Sequence, residues 1–256
     1  MKTRYTSITL LLVVFFIQVY AQETKQIAIE TKNTSLLLTV NSTGKIFQSY
    51  FGEKLNDQDG YKQLKPSRHE AYIPSGMENL FEPAIRVIHH DGNPSLVLKY
   101  TDHKTEKKDN MVITEIHLKD PVYPVEVVLY YTAYYNENVI TTRTEIKHTE
   151  SKPVVLTNFA SSMLHFDAPS YWLTQFHGNH NAEMKMQESQ LTSGIKIIDS
   201  KLGARANMYQ SPVFFLSLNK PSDENTGELI AGTLAWTGNF QFLFEVDEQN
   251  SLRLIS

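Results

Sequence analysis

The chain has 256 residues, with 24 Lys and Arg against 28 Asp and Glu and a formal net charge of −4. A mildly acidic surface offers no electrostatic footprint for phosphate backbones or anionic lipid, so nucleic acid is a poor partner. Cysteine is absent, which excludes disulfides, thiol catalysis and cysteine-held metal and leaves the fold to be stabilised by its core.

In chain order, the first segment reads as an address. Lys2 and Arg4 precede the apolar run Ile8 to Ile17, and Val19-Tyr20-Ala21 offers a small-residue cleavage site before Gln22. The run is shorter than the ~20 apolar residues that span a bilayer. The reading is a signal peptide over 1–21, an exported protein (periplasmic or secreted) free of the membrane after cleavage, and one domain over 22–256. Losing Lys2 and Arg4 makes the remaining chain two units more acidic.

From there the period is two. Leu36, Leu38 and Val40 share a face, Asn41-Ser42-Thr43-Gly44 supplies a turn, and Ile46 to Phe51 returns, which predicts a hairpin. Leu55 to Glu78 is polar and irregular, a long loop of the kind that is functional or disordered. Strands are predicted over 96–100, 112–118, 125–131 and 140–147. In the last of these, Ile140, Thr142, Thr144 and Ile146 oppose Thr141, Arg143, Glu145 and Lys147. Further strands fall at 154–159, 195–198, 213–218, 229–236, 240–246 and 252–255, divided by turn chemistry such as Asp91-Gly92-Asn93-Pro94 and Pro221-Ser222-Asp223. Only Asn181 to Ser189 reads as a helical turn or two, and its apolar stripe is poor. A dozen or so antiparallel strands without repeats predict an all-β fold, a large two-sheet antiparallel β-sandwich.

Self-contained catalytic motifs are missing: no nucleophile elbow, phosphate-cradling loop, zinc-protease helix or dinucleotide fingerprint. His89-His90-Asp91 has metal-binding residue types, but neighbours on a strand point to opposite faces, so the two rings are expected not to converge on one ion. No metal or other cofactor is expected. Glycoside hydrolysis needs two carboxyl groups about the scissile bond. Glu78, Glu82 and Asp91 come nearest to a cluster, yet they read as turn and surface acids. Tyr171 to His180 interleaves aromatics with Gln, His and Asn, which suits a sugar whose C–H faces stack on rings while its hydroxyls meet amides and imidazoles. A core strand with polar residues facing water explains the same pattern.

At that segment the sequence resembles a known family. Tyr171-Trp172-Leu173-Thr174-Gln175-Phe176-His177-Gly178, then Ile198-Asp199-Ser200-Lys201-Leu202-Gly203-Ala204-Arg205-Ala206-Asn207, then Gly227-Glu228 through Leu234-Ala235-Trp236-Thr237-Gly238-Asn239-Phe240 resemble the N-terminal domain of glycoside hydrolase family 36. Glu82-Pro83-Ala84 and His90-Asp91-Gly92-Asn93 are similar to its Pro-Ala and His-x-Asp-Gly segments. The resemblance implies a β-supersandwich of galactose-mutarotase type, belonging to an α-galactosidase whose catalytic aspartates lie in a separate (β/α)₈ barrel. It therefore implies no catalytic residue in this chain and inactivity alone.

The resemblance also implies a contact to the terminal galactose of an α-galactoside and homo-oligomer formation. Asn79 stands where the family has the Asp of Gly-Asp-Phe-Arg-x-Pro-Ala, with Phe81 at the Arg. His180 stands where it has the Trp of His-Gly-Asp/Asn-Trp. The candidate substrate-binding residues are thus Asn79, His177, Asn179 and His180. A free-standing carbohydrate-binding protein and an aldose-epimerase-like enzyme are the other function classes. The latter requires a His and a carboxylate converging in one cleft.

Overall fold

The computed structural model describes residues 25–55, 60–61, 64, 66–76 and 80–256. The predicted signal peptide and Asn79 lie outside the described residues. The strands are β1 Lys25–Glu30, β2 Thr34–Val40, β3 Ile46–Glu53, β4 Ile85–Ile88, β5 Lys99–Lys108, β6 Met111–Lys119, β7 Val125–Tyr134, β8 Val139–His148 and β9 Val155–Phe159. They continue with β10 Met163–Asp167, β11 Tyr171–His177, β12 Lys185–Leu191, β13 Gly194–Ser200, β14 Gln210–Leu218, β15 Glu228–Thr233, β16 Phe240–Val246 and β17 Ser251–Ile255. Between β13 and β14 stands one 3-10 turn, Gly203–Arg205. Among the described residues no helix is long and apolar enough to cross a membrane.

Every ladder between named strands is antiparallel. The orders are β1-β2-β3, β4-β9, β5-β6-β7-β8, β10-β17-β16-β13 and β12-β11-β14-β15. The fold is the all-β antiparallel sandwich that the period-two pattern predicts. The β2–β3 hairpin forms for a local reason. The Asn41 Oδ1 accepts from the amides of Thr43 and Lys45 at 3.0 and 2.9 Å, and Gly44 takes φ +79°, which a side chain rarely adopts.

Two apolar cores organise the sheets. One gathers Ile27, Leu36, Leu38, Ile85, Ile116, Val127 and Leu129; the other gathers Tyr171, Leu173, Phe214, Leu216, Phe242 and Phe244. The sheet β10-β17-β16-β13 serves both. On β17, Leu252 and Leu254 enter the second core while Ile255 enters the first, so all five residues of this strand are buried. Burying full side chains of this kind stabilises by roughly 1.5–3 kcal/mol each.

The structure departs from expectation at identifiable places. Residues 185–191 form β12, a strand and not a helical turn, paired along the whole of β11 from Tyr171↔Leu191 to His177↔Lys185. Only Leu191 of it is buried, so an edge strand with a polar sequence is held by its neighbour's hydrogen bonds and not by its own pattern. The predicted strand at 96–100 begins only at Lys99, with Leu96 and Leu98 buried in irregular chain. Strand β15 ends at Thr233, leaving Trp236 in a loop, 65 % exposed. The opposite-face argument at His89-His90 also fails: β4 ends at Ile88, both residues sit in the following turn, and both rings meet the carboxylate of Glu150.

Candidate functional site

Strand β11 lies inside its sheet, flanked by β12 and β14, and its side chains alternate. Tyr171 and Leu173 fill the second core. On the opposite face Phe176 meets Phe215 edge-on at 5.3 Å, and the Thr174 hydroxyl donates to Glu188 at 3.3 Å. The aromatic and polar residues of this segment thus divide as a strand divides them, and the polar chains of Gln175 and Thr174 bond to β12.

The candidate residues lie where β11 ends. His177 is the last residue of the ladder, half-buried between Lys185 and Gln210. The Gly178 amide donates to the Tyr209 carbonyl at 2.9 Å. A methyl group on Gly178 would come to 3.0 Å from the Cα of Glu183 and 3.1 Å from the Ala182 carbonyl, so backbone crowding selects glycine. Asn179 and Ala182 exchange backbone hydrogen bonds, and the Asn179 Oδ1 accepts the His180 amide at 2.7 Å. Asn179 and His180 are exposed. Asn179 commits its oxygen to shaping the turn and His180 presents a ring to solvent.

Other exposed apolar groups gather at the same end. Met184 accepts from the Ser211 hydroxyl on its sulfur at 3.3 Å, and Tyr209 adjoins Gly178. The loop after β15 is tied in through Leu234 N to Pro212 O and through Asn239 Oδ1 to the Gly203 amide. Tyr209 and Trp236 are both exposed. Sequence periodicity missed these two because a tryptophan in an apolar run reads as strand; the Thr237-Gly238-Asn239 turn after it was the available signal.

The second place singled out by sequence does not join the first. Asn79 is outside the described residues, but its neighbours are placed: Leu80 is 94 % exposed, and the Phe81 ring lies over the Arg253 guanidinium at 3.7 Å. Arg253 is buried and donates to Glu245 Oε2 at 2.9 Å and Asp247 Oδ2 at 3.2 Å. Beside it is a cavity of about 180 Å³ lined by Lys45, Arg68, His69, Glu70, His165 and Arg253, among others. Tyr171, at the start of β11, bonds to Phe166 and Asn250 near this cavity. His177 is six residues further on, about 20 Å along an extended strand.

A histidine and carboxylates therefore do converge in one recess, but they are occupied. The His165 Nε2–H donates to the Glu70 carbonyl at 2.8 Å, and Gln48 brackets the His165 backbone at 2.6 and 3.0 Å. Burial, then the charge of His69, pulls the His165 pKa down to about 3, so it is neutral. Burial pushes the Asp167 carboxyl up, but hydrogen bonds from Ser251 and His69 outweigh it and hold the group below its ordinary value. Ser251 donates to Asp167 and not to His69, so this Ser–Asp–His set does not activate a nucleophile. Glu245 and Asp247 are both ion-paired with Arg253. Among the described residues no group of three or more His, Asp or Glu side chains is arranged to hold a metal ion.

Comparison with known proteins agrees with this architecture. The chain is 25 % identical over 264 residues to alpha-galactosidase Mel36A of Lactobacillus acidophilus, covering 90 % of this chain and 36 % of that protein. It is 23 % identical over 270 residues to alpha-galactosidase AgaA of Geobacillus stearothermophilus, covering 92 % and 37 %. The chain thus spans little more than a third of the length of these two relatives. Crystal structures of the Geobacillus enzyme superpose with a TM-score of 0.82 at 22 % identity over 90 % of this chain, one of them in complex with raffinose. The α-galactosidase of Lactobacillus brevis superposes at 0.80. The profile of the glycosyl hydrolase family 36 N-terminal domain matches residues 44–256, most of the chain and all of β3 to β17, and the chain belongs to that family.

Proposed function

We propose that this chain is the accessory β-sandwich of an exported α-galactosidase and does not cleave glycosides by itself. The observation that carries the reading is the family match over residues 44–256. The engagement of the fold's carboxylates by basic and hydroxyl partners supports inactivity. Glu150 is bound by two histidines, Asp167 by His69 and Ser251, and Glu245 with Asp247 by Arg253. None is paired with a second carboxyl across a space that a sugar could enter. The end of the sheet at His177, Asn179 and His180 serves as one wall of a galactoside site completed by the barrel, and Asn79 serves as a sugar contact of its own, apart from that wall. His180 is a smaller platform than a tryptophan, so the stacking it gives is weaker.

Purified full-length chain should release no p-nitrophenol from p-nitrophenyl α-galactoside. Turnover at an ordinary enzymatic rate would sink the reading. Mass spectrometry of the exported product should find Gln22 at its N-terminus.

The exposed Tyr209 beside Gly178, and the exposed Trp236 of the loop after β15, favour a second reading, a free-standing carbohydrate-binding protein. Calorimetric titration with galactose, melibiose and raffinose separates the two. Saturable binding by the chain alone selects the second, and flat titrations select the first.

A further inference from the structure

We propose that His89 and Glu150 form a proton-operated catch, which holds the 89–95 turn closed while the His89 ring carries both of its protons and releases it when one is lost. The His89 side chain is fully enclosed, and each ring nitrogen faces an acceptor: Nδ1 lies 2.7 Å from Glu150 Oε1, and Nε2 lies 2.9 Å from the Ser95 carbonyl. A carbonyl oxygen has no proton to give. A neutral imidazole would therefore set a lone pair against one oxygen or the other, whichever tautomer it chose. Turning the ring over would put carbon atoms against both. The arrangement is satisfied when His89 donates twice, as an imidazolium.

Its surroundings agree. The Tyr123 ring lies parallel to the His89 ring, 3.6 Å away at 8°, the face that a flat cation prefers. Glu150, also enclosed, is kept as a carboxylate. Burial pushes its carboxyl up, but hydrogen bonds from the His89 ring, the His90 amide and the His90 ring bring it down to about 2. His90 differs from its neighbour. Only its Nδ1 meets Glu150, at 2.7 Å, and its side chain is about a third exposed, so a single proton satisfies it. The charged and titratable groups facing His89 are thus Glu150 from the loop after β8, Tyr123 from the loop before β7, and His90 and Asp91 from its own turn. Asp91 is engaged by the Tyr123 hydroxyl at 2.9 Å.

The catch closes a specific piece of chain. Through Ser95 the ring grips the far side of the turn, whose own bonds are His89 N to Asn93 O and Gly92 N to His89 O, both 2.9 Å. Through Glu150 it ties that turn to the end of β8. Deprotonation strands a buried carboxylate or a buried carbonyl against a lone pair, a penalty that opening the turn to water removes.

The test uses full-length chain labelled with ¹⁵N in histidine, with His89 assigned by its loss in His89→Asn. Near neutral pH, where free histidine is mostly uncharged, His89 should show both ring nitrogens protonated. As pH is raised and the ring loses its proton, amide exchange protection across residues 92–96 should fall by about tenfold or more beyond the intrinsic base effect. Glu150→Gln should abolish that extra pH dependence. A neutral His89 tautomer near pH 7, or a ring that titrates while the turn stays protected, overturns the proposal. Both readouts come from the unsubstituted protein, so they decide the matter even if Glu150→Gln does not fold.

Discussion

Two buried titratable side chains make stability depend on acid in different windows. His165 is neutral in the fold, with its pKa near 3, whereas an unfolded histidine takes up a proton below about 6.5. The unfolded chain thus binds more protons as pH falls through this range, and stability must drop with it, at up to ~1.4 kcal/mol per pH unit. Urea unfolding at several pH values between 7 and 3 should show this slope, and His165→Gln should flatten it; an equal slope in the variant would exclude His165 as its source. Glu150, lowered from 4.5 to about 2, adds a second loss that begins only below 4.5. Glu150→Gln should remove that later component while leaving the His165 window intact. Glycine positions supply a prediction of another kind. A methyl on Gly232 would stand 2.3 Å from the Phe214 ring, which is itself wedged edge-on between Phe242 and Phe244 at 5.0 and 5.1 Å. Gly232→Ala should cost roughly 1–3 kcal/mol by overpacking, seen as a lower thermal midpoint.

Among the elements, Tyr171 joins three. Its hydroxyl accepts the Ala168 amide at 2.9 Å and lies within 2.8 Å of the carbonyls of Phe166 and Asn250, so β10, β11 and the turn before β17 meet at one oxygen. Tyr171→Phe should lower the urea midpoint by an equivalent of about 1–2 kcal/mol without altering the strand content by circular dichroism. Elements of this sort also show what a sequence exposes. Strand β8 was legible because Ile140 to Lys147 alternates and one face is half-buried. Strand β12 was not, because Lys-Met-Gln-Glu-Ser-Gln has no face to bury and is ordered by pairing with β11. The His89–Glu150 contact joins residues 61 apart in sequence, and no local pattern announces a partner at that distance. The turn at Gly178 was legible as to place, whereas the position of Tyr209 beside it depends on how separate loops fall together.

For the molecule as a whole, the apolar surface left uncovered is informative. Val155 and Phe159 of β9 are exposed, as are Leu80 and Ile195. Asn158 holds the Pro83 carbonyl at 2.8 Å and Glu245, opposite Ile195, holds the Glu82 amide at 3.3 Å, so these residues lie around one segment. Exposed apolar groups gathered in this way mark a surface for association. Under the function proposed above, a catalytic barrel is the occupant that fits this surface. The isolated chain should then self-associate with concentration in analytical ultracentrifugation, and Leu80→Lys with Phe159→Lys should leave it monomeric. An unchanged sedimentation profile would argue against that surface.

Strand β17 closes both cores, and it is the latest described strand to be translated. Leu36 and Phe214 alike must wait for Leu252 to Ile255 before either has its full complement of neighbours. A nascent chain halted on the ribosome short of that point would carry two open, greasy interiors, and the emergence of this one strand would close both together.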